Sequence, residues 1–504
     1  MLISYGKYSS ACDYTRCAEV LHVMLDMPAK SLRRARFRQL KSALQEQMQE
    51  THERLAEIAA AAVTTPAAGL SVAEPPAAQS DEVPDLATHA RPAAPMESRF
   101  QASLPSSASP RQTAVPCSTD AQTRSVVSAV RKVREGGRRC ISRAARTLMQ
   151  KPMVSIVDET LTTLHKLHPE ANHSLPAPPP NTALDLIAVE WSKLAPLIKR
   201  RVNNGSAPGP SGWTGSHLQL LADCEDREVA DGLCQLTKDI CNGVFSGATQ
   251  QRLLACLLQP ISKDGSNTNV RPIAMGEVFV KLAAHYSMLL IEEQLPALFP
   301  RIQFGVKHAG GSESAAHLTR ALLLQSAARD ATTIALKTDF ENAFNRADRS
   351  QMWARLLQDR RTEPIWRMFH WAYSVASPLL IYDQRDLRAV LVSSEGVRQG
   401  DPFAAFAFAF LVQPLYEAAI AELPECHAVS IQDDLTLVGP QEQVFKAFDR
   451  IQQMAASYHL TLRVDKCAVY IPASVLMPED RERIIQACAA RSLAHSDRME
   501  SLGV

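Results

Sequence analysis

Several common protein classes are excluded by what this sequence lacks. Its 11 cysteines include no C-x-x-C pair, which rules out a zinc ribbon or knuckle, and an odd count suits reduced, intracellular thiols. Formal charge at pH 7 is only +1, so any affinity for nucleic acid must come from local patches and not from the field of the whole chain. The N-terminus has no signal-peptide pattern, and no apolar run reads as long and uncharged enough to cross a bilayer. Phe403–Val412 reads instead as a buried helix. From about Thr64 to Gln122 aromatics are few and Pro, Ala and Ser abound, the composition of a disordered linker. Ahead of it, Leu40, Leu44 and Met48 among charges suggest an amphipathic helix. After it, Arg131, Lys132, Arg134, Arg138, Arg139, Arg143, Arg146 and Lys151 crowd a stretch whose only acid is Glu135. Such a run is either a solvated face or a phosphate contact weakened steeply by salt.

What is present centres on three aspartates. Asp433 and Asp434 interrupt the apolar segment Ala428–Gly439. Neighbouring carboxylates raise the cost of ionising each other, and burial raises it further. A hard divalent cation would remove that penalty, whereas a tight hairpin turn would simply leave both in water. The pair alone leaves both readings open. Upstream, Thr332–Thr338 is apolar or β-branched enough for a buried strand, with Asp339 at its C-terminal end. Asp348 then reads as the N-cap of a helix through Met352, Leu356 and Leu357. Two strands that deliver three Asp residues to one place would make a two-metal site, whose ions lie about 3.5–4 Å apart. Between them, Gly396-Val397-Arg398-Gln399-Gly400-Asp401-Pro402 reads as a loop opening a buried helix, with Asp401 as N-cap and Pro402 at N1. Its glycines allow close backbone approach, and Gln399 both donates and accepts.

In this order, a strand-end Asp, Gly-x-x-Gln-Gly-x-Pro and a hairpin Asp-Asp resemble the palm of a reverse transcriptase. Further segments resemble the non-LTR retrotransposon type. These are Ser206–Trp213, Lys263 with Val270–Ile273 and Lys281, Gln303–Val306 followed by Gly310–Glu313, and His459–Cys467. The resemblance runs over roughly residues 195–504. It implies an α+β right-hand fold, with fingers and an antiparallel palm sheet packed by helices, and RNA-directed DNA synthesis from dNTPs on an RNA template and a DNA primer or target. Asp339, Asp433 and Asp434 would hold two Mg²⁺ ions, with Mn²⁺ a possible substitute, Asp339 and Asp433 being the direct ligands. Lys263 and Arg271 would grip the triphosphate. Phe344 would block a ribonucleotide 2′-hydroxyl. Gln399 and Gly400 would lie beside the templating pair, and Lys466 would protonate departing pyrophosphate. A nuclear location is implied by the resemblance alone.

The pattern also departs from the family. Ile431 stands where an aromatic is usual and Gln432 where a small or apolar residue is. Ser211 replaces a usual Asp, Asn345 a common Asp, and Phe403-Ala404-Ala405 follows Pro402 in place of Ser-Pro. The expected division is a helical segment 1–63, linker 64–122, basic helical segment 123–175, fingers with N-terminal extension 182–335, and palm 336–504. Leu502-Gly503 resembles the end of the palm, so the expectation is a partial reading frame that stops before the thumb and any endonuclease. The alternative functional reading is a catalytically weak or inactive remnant that only binds nucleic acid. A viral RNA-dependent RNA polymerase is disfavoured by the Gln399-Gly400 loop and by Phe344.

Overall fold

Alternation of apolar and polar side chains makes Cys256–Ser262 (β1) and Val270–Gly276 (β2) half-buried strands. They pair antiparallel, with Cys256 opposite Gly276 and Ser262 opposite Val270. The computed structural model describes residues 1–26, 154–171, 174–177, 186–202, 207–300, 302–306, 310–383, 386–472 and 477–498. The Leu40–Met48 pattern, the Pro/Ala/Ser-rich stretch, the cationic run from Arg131 to Lys151, and Leu502-Gly503 all lie outside them. Thr333–Thr338 (β3) is buried at five of its six positions. Ser377–Asp383 (β4) and Asp386–Ser393 (β5) join the first two strands in a sheet ordered β2-β1-β4-β5. His427–Ile431 (β6), Asp434–Pro440 (β7), Ala468–Tyr470 (β8) and Ala494–Ser496 (β9) form a second sheet around β3, ordered β6-β7-β3-β8-β9. The described residues are thus mixed α and β with two largely antiparallel sheets.

The helices that position the site are α1 (Leu2–Ser10), α2 (Tyr14–Asp26), α3 (Asp158–Leu167), α4 (Arg227–Cys241), α5 (Val278–Leu290), α6 (Gly311–Ala327), α7 (Arg349–Gln358), α8 (Pro402–Ile420) and α9 (Gln441–Ala455). Asp348 caps α7 by accepting from the amides of Ser350 (2.7 Å) and Gln351 (3.2 Å). Asp401 caps α8 by accepting from that of Phe403 (2.9 Å). Helix α8 continues well beyond Val412 to Ile420. At 19 residues it is long and apolar enough to cross a membrane by length and composition, contrary to the expectation from sequence. Its apolarity has a local cause: Phe403, Phe406, Phe408 and Phe410 are buried against protein, including Phe299 and Phe369.

Residues 1–26 and 154–171 belong to the same unit as the strands. Helix α1 lies on α4, where Tyr5 and Ser9 hydroxyls both donate to buried Asp239 at 2.6 Å. Contact is so close that a Cβ on Gly232 would sit 2.0 Å from the Leu2 carbonyl oxygen. Val154, Ile156 and Leu164, in and ahead of α3, pack with Cys256, Leu258, Ala274, Leu379 and Leu391 against the first sheet. The segment 207–213 also closes on β2. Ser211 donates from its amide to Glu277 Oε1 (2.7 Å) and from its hydroxyl to Oε2 (2.5 Å). Trp213 is buried on Phe279 and donates to the Met24 carbonyl.

Two outcomes follow from this packing. Gly232→Ala should lower unfolding stability in urea by about 1–3 kcal/mol, the usual range for overpacking, and expose α1 to proteolysis. Burial pushes the Glu277 carboxyl from 4.5 up to about 7, despite the Ser211 bonds that favour its ionised form. The fold therefore favours its protonated form, so this contribution to stability is full below about pH 4.5 and is lost as pH rises through 7. Glu277→Gln removes the charge; its Oε1 still accepts from the Ser211 amide, while its Nε2 would donate to the Ser211 hydroxyl, reversing that bond. Relative to wild type it should gain on the order of 3 kcal/mol between pH 4.5 and 8, read from denaturation midpoints.

Candidate active site

The ladder between β3 and β7 brings the carboxylates together. Thr338 faces Leu435, so one step further the register sets Asp339 beside Asp434. Ile431 pairs with Asp434, which leaves Gln432 and Asp433 as the two-residue turn of the β6–β7 hairpin. Gln432 has φ of 59°, the left-handed conformation that such turns favour at their first central position. The hairpin reading and the site reading of Asp433-Asp434 are therefore the same place. The turn is half-buried, and its carboxylates are not simply in water.

The electrostatics record the crowding. Burial, then Asp434 and Asp339, push the Asp433 carboxyl up to about 6, against its own backbone amide and Arg271. Asp339 is also raised by burial, with Asp434 adding and Lys466, Lys263 and Lys337 opposing. Asp434 lies 3.5 Å from the Lys337 ammonium. Among the described residues, no three His, Cys, Asp or Glu side chains close into a ligand cage. The aspartates are near enough to act on one another's charge, and Asp434 also pairs with Lys337. Their donor chemistry, hard carboxylate oxygen with a deficit of positive charge, fits a divalent cation of the Mg²⁺ class.

Cations approach the same place from two directions. The β1–β2 hairpin carries Lys263, whose amide donates to the Asn269 carbonyl (2.9 Å), and Arg271; both are exposed. Partial desolvation, Lys466 and Arg271 push the Lys263 ammonium below its usual value, while Asp339 opposes them. Lys466 ends the short turn Val464–Lys466. That turn is tied to the first aspartate, because Arg463 N donates to the Asp339 carbonyl (2.8 Å) and Asp339 N to Cys467 Sγ (3.4 Å). Lys466 is exposed and yet the foremost charge acting on Asp339 after burial. Mutually repelling cations beside mutually repelling carboxylates suit a ligand that carries both phosphate and metal.

Phe344 lies on the turn Ala343–Arg346, its ring stacked on Phe408 of α8 at 4.8 Å. Val397 N donates to the Phe344 carbonyl (2.7 Å), and a Cβ on Gly396 would sit 2.3 Å from that same oxygen. The Gln399 carbonyl accepts from Ala274 N of β2 (2.9 Å), and a Cβ on Gly400 would meet the Ala274 oxygen at 2.6 Å. The glycine loop is thus pressed between Phe344 and β2. The cationic residues Arg131, Lys132, Arg134, Arg138, Arg139, Arg143 and Arg146 lie outside the described residues.

Three positions carry roles that sequence reasoning did not assign. Buried Gln303 braces the hairpin turn: Oε1 accepts from Gln432 N (2.7 Å) and Gly305 N (2.9 Å), and Nε2 donates to Ser430 Oγ (3.1 Å). The hydroxyls of Ser430 and Tyr416 then donate to the Gln432 carbonyl, so the unusual Gln432 is held by its backbone. Asn342, left-handed at φ 48°, donates to the Leu167 carbonyl (2.7 Å) and accepts from Asn345 Nδ2 (3.0 Å). Arg349 is buried beside the glycine loop. Gln303 and Gly305 stood in a recognised segment, but nothing in their neighbours pointed to a turn far along the chain.

Comparison with known proteins accords with this geometry. The sequence model of the reverse transcriptase (RNA-dependent DNA polymerase) family matches residues 261–504. The retrotransposable element SLACS 132 kDa protein of Trypanosoma brucei gambiense is 27% identical over 268 residues. That alignment covers 53% of this chain and 22% of the relative, so the chain spans about a fifth of that protein's length. The matched family region begins after the Ser206–Trp213 segment, whose place rests on its packing against Glu277. With the aspartates, the glycine loop and the hairpin in the order that family shows, residues 261–504 are similar to reverse transcriptases, and the relative they resemble is a retrotransposable element protein.

Proposed function

We propose that the chain is an RNA-directed DNA polymerase that adds dNTPs to a primer 3′-hydroxyl on an RNA template. The observation that carries this reading is the meeting of Asp339, Asp433 and Asp434 with Lys263, Arg271 and Lys466, a cluster of carboxylates beside a cluster of cations. Two Mg²⁺ ions, held by the three aspartates with Asp339 and Asp433 as direct ligands, would neutralise the attacking and leaving oxygens of the in-line displacement. Lys263 and Arg271 grip the triphosphate from the hairpin above. The 3′-hydroxyl gives up its proton to solvent as its oxygen bonds the α-phosphorus and the bond to pyrophosphate breaks, and Lys466 would give that leaving group a proton. The Phe344 ring, backed by Phe408, fills the space a 2′-hydroxyl would need. Gln399 and Gly400 lie along the loop on β2, beside the templating pair. Gln303 keeps the Asp433 turn in one shape, and preorganisation of this kind matters because small misplacements are costly in rate.

Asp433→Ala should reduce single-nucleotide incorporation by at least about a thousandfold, near 4 kcal/mol of barrier, while cooperative unfolding persists. Incorporation close to wild type would refute the site, and its absence in the wild-type chain would favour a nucleic-acid-binding remnant. Phe344→Ala should raise ribonucleotide use relative to dNTP by about 10–100-fold, the size of discrimination a shape filter can give against an added hydroxyl. Competition assays with paired dNTP and rNTP substrates read this directly, and unchanged sugar preference would reject the role of Phe344.

A further inference from the structure

We propose that Arg349 is a positioning residue for sugar selection, acting on Phe344 through the glycine loop. The proposal rests on the polymerase reading and on the role of Phe344 within it. Arg349 is the first residue of α7, and its side chain is almost wholly buried. The guanidinium spends most of its donors on one stretch of loop. Nε donates to the Gly396 carbonyl (2.7 Å), and Nη2 donates to the Ser393 carbonyl (3.1 Å), to the Ser393 hydroxyl (2.9 Å) and to the Glu395 carbonyl (3.4 Å). Nη1 reaches the Tyr373 carbonyl (3.1 Å), and the Arg349 amide donates to Glu395 Oε1 (2.9 Å). The next residues of the same loop are those that touch the Phe344 backbone: Gly396, with no room for a Cβ, and Val397, whose amide holds the Phe344 carbonyl.

A simple structural tie is a poor account of this arrangement. Burying a guanidinium is expensive, and apolar residues of similar volume commonly hold two elements together as well or better. The fork adds direction, with several donors fixed in one plane that set the height of the Ser393, Glu395 and Gly396 carbonyls. Arg398 lies next to it and does different work. Both cations stand over the Tyr373 ring, at 5.1 and 4.6 Å, but Arg398 is committed to Asp401 (3.0 Å) and Ser377 (2.8 Å). Arg349 alone of the two reaches Ser393, Glu395 and Gly396. Phe344 sits against Phe408 on one side and against this loop through its backbone. A loop free to move by a few tenths of an ångström would let the ring retreat from the sugar.

The test uses the full chain and compares wild type, Arg349→Lys, Phe344→Ala and the double variant. Two readouts are taken, the ratio of kcat/KM for dNTP over rNTP and amide exchange across residues 340–347 and 393–400. Lysine keeps the charge and loses the fork. We expect Arg349→Lys to lower the sugar ratio by about tenfold, to speed exchange in both segments, and to add nothing to Phe344→Ala in the double variant. A merely structural role would lower kcat for both sugars alike and leave the ratio unmoved. An unchanged ratio in Arg349→Lys, with Phe344→Ala altered, overturns the proposal and leaves the polymerase reading standing. Failure of Phe344→Ala to alter the ratio, or of the wild type to incorporate, defeats that reading instead. Exchange still judges the coupling in either case, and unaltered exchange at 340–347 overturns it. Should Arg349→Lys not fold, Ser393→Ala removes a single bond of the fork: a two- to threefold fall in the ratio, about 0.4–0.7 kcal/mol, supports the proposal and no fall overturns it.

Discussion

Pairing of β3 with β7 is the constraint on which the site depends. Six consecutive residue pairs hold the two strands in one register, from Thr333 opposite Pro440 to Thr338 opposite Leu435. A slip by one residue would turn each strand's side chains to the opposite face. Left to themselves, Asp339, Asp433 and Asp434 would separate, since the Asp434 charge raises the cost of ionising both Asp339 and Asp433. The apolar strands behind them supply the free energy that keeps them adjacent: Ile334, Leu336, Leu435 and Leu437 are buried completely. The raised carboxyls of Asp339 and Asp433 are thus a consequence of core packing transmitted to the end of a ladder.

Around that ladder the chain supplies braces that come from far away in sequence. Gln303 reaches the hairpin turn, Cys467 and Arg463 hold the backbone of Asp339, and Asn342 is tied to the end of α3. The glycine loop is clamped between Arg349 and β2, and β2 in turn is capped by the segment around Ser211. Ser211, a departure from the family's usual Asp, has a reason here. A hydroxyl and an amide can both donate to buried Glu277, whereas a second carboxylate would add like charge at that spot. Residues 1–26, part of the expected helical segment 1–63, form α1 and α2 and join the packed body through Tyr5, Gly232 and the Trp213–Met24 bond.

Features whose cause is local are legible in the chain's own residue order. Asp348 and Asp401 cap the helices they precede because a side-chain oxygen two or three residues from a free amide needs no distant partner. The buried strand ending at Asp339 and the turn at Asp433 follow likewise from residue type and alternation. The length of α8 is less clear from sequence, because Pro414 and the polar Gln413 and Glu417 break the apolar run that the helix nevertheless continues through. Motif order pointed to the carboxylates and loop glycines, and the family resemblance it carries implied the roles of Lys263, Arg271 and Lys466.

The convergence of those parts belongs to the folded chain. Nothing adjacent to Gln303 marks it as a brace for Gln432, and Arg349 reads in sequence as an ordinary first-turn residue. Nor does Gly6 or Gly232 announce that two helices meet there backbone to backbone. Each of these roles is a contact between residues far apart in the chain, and its hydrogen-bond geometry leaves no periodicity or composition for a local reading to find. Residue chemistry therefore named the reactive groups, while their spacing, their burial and the direction of their charges were decided by long-range packing.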